Sequence, residues 1–358
     1  MKKEDLRIIF MGTPEFAVAT LKALVENNYN VVAVVTQPDK PVGRHQNELQ
    51  ASEVKKYALE KRLPVLQPEK MKDPQFVEQL RAYDANLQVV VAFRMLPEVV
   101  WAMPALGTFN VHAALLPQYR GAAPINWAII NGETQTGVTT FFLDHDIDTG
   151  RIIMQLPFDI PDTADAEYVY DCLMHLGADI CLQTLEKIIA ADGHPVSFAQ
   201  ESVECRVESA EFATAAESAQ PSRAAANSAL STLHSTLKPA PKIFKETCQI
   251  DWSKTVKQVY DFVRGLSPYP GAWTHLVDAE GRAVVLKIFK TTKTDLPSQG
   301  RAGQLIAEKK HLYVACADGL LQIDELQLAG KKRMDAQAFM NGMKALDGHS
   351  LQYRSDNL

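Results

Sequence analysis

In the first part of this chain, short apolar runs alternate with stretches of helical periodicity, and few architectures accept that order. Runs 6–11, 31–36, 87–93 and 108–112 are rich in Val, Ile and Phe, residues that fit a pleated strand. Two of them are almost unbroken apolar sequence, as strands covered on both faces are. Between them, 14–26, 51–61 and 74–82 repeat apolar residues at helical spacing, with Pro14 suited to a first helical turn. This alternation predicts a doubly wound parallel sheet, which binds ligands outside the carboxyl ends of its strands. After Asn131-Gly132 the order changes. Runs 138–143 and 151–160 read as neighbouring strands joined by 144–150, and a helix is expected over 164–190.

Residues 209–236 break the pattern. More than half are Ala or Ser, so the segment buries too little apolar surface to offset the entropy of ordering it. Beyond 242, structure is expected to resume. Ser253 reads as an N-cap, and Val256, Val259, Tyr260 and Val263 share one face of a helix ending near Gly265. Strand candidates follow at 273–277, 284–289, 303–307, 312–315 and 320–328, separated by turns such as Glu280-Gly281 and Asp318-Gly319. Short strands at this density predict a small barrel. With 358 residues, two domains are the default. The expected organisation is an α/β domain over 1–192, a linker over 193–238 and a β domain over 239–358.

The two parts differ in charge. From Lys238 to Leu358 there are 18 Lys and Arg against 13 Asp and Glu, a balance of +5, while the whole chain carries −6 and the remainder therefore −11. A basic C-terminal part points to an anionic partner that touches it. No apolar run approaches the ~20 residues that cross a bilayer. The charged N-terminus passes directly into the first strand, so no leader is expected. Five scattered cysteines without CxxC spacing fit reduced thiols in a cytosol, with neither a disulfide frame nor a zinc site.

Phe10-Met11-Gly12-Thr13-Pro14 follows the first strand but is not GxGxxG, and neither GxSxG nor HExxH occurs. The chemistry is therefore sought elsewhere, first in NVHAALLPQYRGAAPI at 110–125. Asn110 and His112 are two residues apart at the end of an apolar strand and share one face, where burying an amide and an imidazole is costly without partners. Asp144, Asp146 and Asp148 crowd a later loop. Asn, His and Asp suit acyl transfer between two nitrogens. An amide N–H can donate to the oxyanion of a tetrahedral intermediate, and an imidazole can move the protons that attack and departure require. From spacing alone, a structural role for the Asn–His pair and a solvated acidic loop remain open.

Asn110-x-His112, the LLPxYRGAAPI that follows, and Asp148-Thr149-Gly150 together resemble the 10-formyltetrahydrofolate-dependent formyltransferase family. IIFMGTPEFA (8–17), TQPDKPVGR (36–44), LPVLQPEK (63–70), VVVAFRMLP (89–97), IDW (250–252) and LAGKKRM (328–334) extend the likeness through nearly the whole chain except the Ala/Ser-rich segment. Within the family the chain is most similar to members whose acceptor is a charged initiator tRNA. The resemblance implies a Rossmann-like doubly wound parallel sheet domain followed by a small OB-like β-barrel. It implies transfer of the formyl group of 10-formyltetrahydrofolate to the amine of initiator methionyl-tRNA, by a cytoplasmic monomer needing neither metal nor membrane. Asn110, His112 and Asp148 match the family's catalytic triad, and Ala114, Leu115, Leu116 and Pro117 its folate-binding segment. Arg94, Met95 and Leu96 would wall the pterin pocket with loop 143–148. Arg44 would reach the acceptor stem, and Lys331, Lys332 and Arg333 would track tRNA phosphates.

Three departures stand out. Ala114 replaces the family's serine, leaving the backbone there to face the pterin. His45-Gln46-Asn47-Glu48-Leu49-Gln50 replaces a basic, glycine-containing stretch, which lowers the number of phosphate contacts on offer. The 209–236 segment is an extension. An amino-sugar or glycinamide ribonucleotide acceptor would use the same triad, and an inactive tRNA-binding module is the reading from another class.

Overall fold

The computed structural model describes residues 1–42, 48–200, 237–343 and 349–353. It divides into two compact units that interleave along the chain. The first comprises Met1–Gly121, Gly137–Phe158 and Cys172–Ala240, and the second Ala122–Thr136, Asp159–Asp171 and Pro241–Leu358.

The strands of the N-terminal part are β1 (Ile8–Gly12), β2 (Val31–Val35), β3 (Lys40–Val42), β4 (Glu48–Gln50), β5 (Val65–Leu66), β6 (Leu87–Val91), β7 (Thr108–His112), β8 (Gln135–Phe142) and β9 (Ile152–Asp159). Seven of them form one sheet in the order β5-β2-β1-β6-β7-β8-β9. Pairing is parallel from β5 through β7, and β8 runs antiparallel to β7. The all-parallel expectation thus holds for the first five strands. A parallel return needs a crossover helix packed on the sheet. The link from β7 to β8 carries only α5 (Pro124–Ile130), whose residues group with the second unit.

Every residue of β1 and β6 is buried, as nearly continuous apolar sequence predicts, with Gln88 the polar exception in β6. The helices are α1 (Glu15–Glu26), α2 (Glu53–Glu60), α3 (Pro74–Ala82), the one-turn α4 (Glu98–Trp101) and the 25-residue α6 (Ala166–Ala190). Side chains cap α2 and α3. The Ser52 hydroxyl accepts from the Lys55 N–H at 3.1 Å, and Asp73 caps α3 just before Pro74. Strands β3 and β4 pair as an antiparallel hairpin that the apolar pattern did not signal. At its base Asp39 accepts from Lys55 at 2.6 Å and from Gln67 at 2.8 Å, and these bonds hold its carboxyl below the usual carboxylate range. Arg44 and the start of the altered stretch, 43–47, lie outside the described residues, as do 201–236.

In the second unit, α7 (Val256–Gly265) presents Val256, Val259, Tyr260 and Val263 to the core. Its N-cap is Thr255, which forms a capping box with Gln258. Ser253 was the expected cap, but its hydroxyl donates instead to Asp251 at 2.6 Å and is held in the preceding turn. The remaining elements are β10 (Ala272–Val277), β11 (Ala283–Pro297), β12 (Leu305–Glu308), β13 (His311–Ala315), β14 (Gly319–Leu328), β15 (Met334–Asp335), α8 (Ala336–Gly342) and β16 (Ser350–Gln352). Their sheet runs β12-β13-β14-β11-β10-β16 through antiparallel pairs, with β15 on β14. Its two ends meet where Gln304 bridges Ser350 and the Leu351 N–H donates to Gly303 at 2.7 Å. Closure removes exposed strand edges around a core that includes Trp252, Leu286, Ile288, Leu321, Ile323 and Leu326. Among the described residues, no helix is long and apolar enough to cross a membrane.

Candidate active site

Asn110 and His112 end β7, opposite Phe141 and Thr139 of β8. Val111 between them turns the other way, toward Gly177 of α6. The polar pair therefore shares the face that the period of a strand assigns it.

His112 is 6% exposed, with its ring edge-on to Phe141. Its Nε2 lies 2.9 Å from the Tyr119 carbonyl oxygen. A carbonyl only accepts, so Nε2 carries the proton, and in the neutral ring Nδ1 is left as an acceptor. Nδ1 faces Asp148 Oδ2 at 3.9 Å. That is too long for a direct hydrogen bond, yet an imidazolium there would form an ion pair with the carboxylate. The ring is thus oriented by a backbone carbonyl, whereas the carboxylate stands ready beside its other nitrogen.

Of the three loop aspartates, Asp144 and Asp146 are exposed and Asp148 is turned inward. Asp148 Oδ2 accepts from the Gly121 N–H at 2.9 Å. Tyr119 and Asp148 both have left-handed backbone, at φ 60 and 55, a conformation costing about 1–3 kcal/mol that persists only when neighbours enforce it. At Gly121, φ is 124 and a Cβ would lie 2.5 Å from the Ala240 carbonyl oxygen. At Gly150, a Cβ would stand 1.7 Å from the carbonyl oxygen of Phe142. Loop 143–150 can double back this tightly only without a side chain, which accounts for the glycine of Asp148-Thr149-Gly150. Gly150→Ala is expected to destabilise the protein by about 1–3 kcal/mol, seen as a lower urea midpoint at unchanged slope.

Asn110 carries the site's other distinctive feature. Its Oδ1 is buried and has no hydrogen-bond partner in the protein, a condition native structures rarely leave unexplained. An N–H of a bound ligand would satisfy it, and the other end of the same amide offers two donors.

The remaining candidates are placed differently from one another. Ala114 and Leu116 are buried. The Ala114 carbonyl accepts from the Thr139 hydroxyl at 2.6 Å, the Leu116 N–H donates to that hydroxyl at 3.2 Å, and the Leu116 carbonyl accepts from Gln155 at 2.8 Å. These backbone groups each make a hydrogen bond inside the unit. Pro117 is buried, and half-buried Leu115 is the exposed member of the segment. Arg94 donates to the carbonyls of Pro68 and Glu69, and burial lowers its pKa. It ties down the 63–70 segment rather than offering its charge to solvent. Leu96 is buried beside Val90 and Val100. Met95, at 70% exposure, and Ile147, at 58%, are the large apolar side chains these two loops leave open. In the second unit, Lys331 and Lys332 are exposed, while Arg333 pairs with Glu325 and lies 4.5 Å over the Phe289 ring. Among the described residues, no three His, Cys, Asp or Glu side chains are grouped to hold a metal.

Sequence reasoning missed Tyr119, Gly121 and Gln200. The first two act through the backbone, and the Gln200 side chain reaches loop 148–150 from a segment with no motif of its own.

Residues 6–185 match the family model described as formyl transferase, and 242–344 match that of the formyl transferase C-terminal domain. The methionyl-tRNA formyltransferase of Parabacteroides distasonis is 54% identical over 347 residues, 97% of this chain and 98% of that protein. That of Bacteroides thetaiotaomicron is 53% identical over 352 residues, 98% of this chain and 100% of its own length. Among solved structures, the N-formyltransferase of Helicobacter canadensis, in complex with folinic acid and dTDP-3-aminofucose, gives a TM-score of 0.58. That match spans 92% of this chain and 100% of that one at 18% identity, a likeness of fold.

Proposed function

We propose the reaction from one premise: this chain belongs to the methionyl-tRNA formyltransferase family. Its activity is then transfer of the formyl group of 10-formyltetrahydrofolate to the amine of initiator methionyl-tRNA, giving N-formylmethionyl-tRNA for translation initiation. The observation that carries the reading is the His112 ring, held through Nε2 by a carbonyl with Nδ1 turned toward Asp148.

In the proposed mechanism the amine attacks the formyl carbon, and the carbonyl oxygen becomes an oxyanion. An N–H of Asn110 stabilises that charge, joined by the His112 ring once Nδ1 is protonated, the kind of preorganised donation worth most in a buried site. Asp148 accepts the proton lost by the amine, directly or through a water and with His112 beside it. The carbon–nitrogen bond to the folate then breaks, and His112 helps deliver a proton to the departing nitrogen. Met95, Ile147 and Leu115 supply apolar surface for the pterin. Lys331, Lys332 and Arg333, with Arg44, meet tRNA phosphates. The proposal keeps a catalytic domain over 1–192, a linker over 193–238 and a tRNA-binding domain over 239–358, in a cytoplasmic monomer.

The solved neighbour with an amino-sugar nucleotide defines the competing acceptor. Purified protein is to be given 10-formyltetrahydrofolate with charged initiator tRNA, charged elongator Met-tRNA or a dTDP-amino sugar. Rapid formylation of the initiator tRNA alone is expected. Formylation of the sugar in its place would overturn the reading, and equal formylation of both tRNAs would remove its initiator specificity.

A further inference from the structure

The Gln200 side chain bridges two loops that the proposed chemistry depends on. Its Nε2 donates to the Asp148 carbonyl at 2.8 Å and to the Gly150 carbonyl at 2.9 Å. Its Oε1 accepts from Arg120 Nε at 3.0 Å and from Arg120 Nη2 at 2.6 Å. Two N–H donors and two acceptor sites are all an amide has, so Gln200 is fully engaged as a bridge. Loop 118–121 supplies the Tyr119 carbonyl to His112 and the Gly121 N–H to Asp148. Loop 144–150 supplies Asp148 itself.

The chain around Gln200 is fixed independently of that bridge. Phe198 and Ile152 exchange two backbone hydrogen bonds, at 2.8 and 2.9 Å, and Arg151 donates to Ser197. Loop 118–121 is also held from a second stretch of chain. The Tyr119 N–H donates to the Lys238 carbonyl at 2.7 Å, the Lys238 N–H to Gln118 Oε1 at 2.8 Å, and the Ala240 N–H to the Arg120 carbonyl at 2.8 Å. Both left-handed residues, Tyr119 and Asp148, therefore sit where this lacing grips the backbone, as enforced strain requires.

We propose that Gln200 is a positioning residue for formyl transfer, holding Asp148 at its distance from His112 by joining loop 144–150 to Arg120. The proposal rests on the reaction assigned above. Glutamine suits the task by type: glutamate cannot donate to the two carbonyls, and asparagine is one methylene shorter. Burial lowers the pKa of Arg120, an effect the charge of Asp148 partly opposes, and the guanidinium remains a cation as arginine does in proteins.

The test compares full-length wild type with Gln200→Ala and Gln200→Glu, using initiator methionyl-tRNA and 10-formyltetrahydrofolate. In both variants kcat is expected to fall about 10- to 100-fold, the scale on which small misplacements act. KM for each substrate stays within about twofold, because no substrate contact is removed. A kcat near wild type in either variant, or a loss expressed in KM alone, overturns the proposal. Hydrogen exchange on the unliganded protein gives a second readout that needs no acceptor. Peptides covering 143–151 are expected to exchange faster in Gln200→Ala while those of β1 and β6 do not change, and unchanged exchange at 143–151 overturns the bridge. A wrong acceptor silences the wild-type assay and leaves the exchange result intact, so the two failures are distinguishable.

Discussion

Replacing His112 with alanine is expected to lower formyl transfer about 10²- to 10⁴-fold, the range that a positioned proton-transfer group supplies. The ring is the one titratable side chain that the structure places on the Asn110 face of β7 with a nitrogen toward Asp148. In the proposed mechanism its loss removes both a stabiliser of the oxyanion and the route for the proton. Alanine also leaves a gap beside Phe141 and deprives the Tyr119 carbonyl of its donor, a stability cost separate from the chemistry. His112→Asn separates the two effects, since a polar amide fills part of the space without titrating. Single-turnover formylation and urea unfolding on both variants make the check. Near-normal turnover in either folded variant would show that the imidazole does not carry the reaction.

How much of this was legible in the sequence depends on whether side chains or backbone carry the message. The ends of β7 and α3 were read to the residue, from an apolar run in the one and helical periodicity in the other. The β3–β4 hairpin was not, since Lys40-Pro41-Val42 and Glu48-Leu49-Gln50 are too short and polar for a period of 2 to show. The same holds for the seven-residue α8. At the start of α7 the sequence pointed to Ser253 as the cap, but Asp251 captures its hydroxyl and Thr255 caps the helix instead. In the site, spacing put Asn110 and His112 on one face but left their role open, and only the family resemblance implied one. Nothing in a side-chain pattern reports that the Tyr119 carbonyl orients His112, or that Gly121 and Gly150 are forced by neighbouring carbonyls. Those facts depend on where distant backbone passes, which is tertiary information. Arg94 shows the converse: its charge was legible, but its partners, the carbonyls of Pro68 and Glu69, were not.

Asp148→Asn is expected to lower turnover about 10²-fold or more while leaving the loop in place. Asparagine has nearly the same shape and, like aspartate, tolerates left-handed backbone such as the φ of 55 at this position. It can still accept from the Gly121 N–H, now 2.9 Å from Oδ2. What it loses is the charge facing His112 Nδ1 and the capacity to take a proton from the amine. Asp148→Ala loses these as well, strands the Gly121 N–H and keeps an unfavourable φ. Its urea midpoint should therefore fall below that of Asp148→Asn by about 1–3 kcal/mol equivalent. If the two variants are equally slow but differ in stability, the carboxylate acts through its charge and the loop geometry is a separate contribution. If Asp148→Asn turns over normally, Asp148 is not the proton acceptor, and the amine must lose its proton to His112 or to water without it.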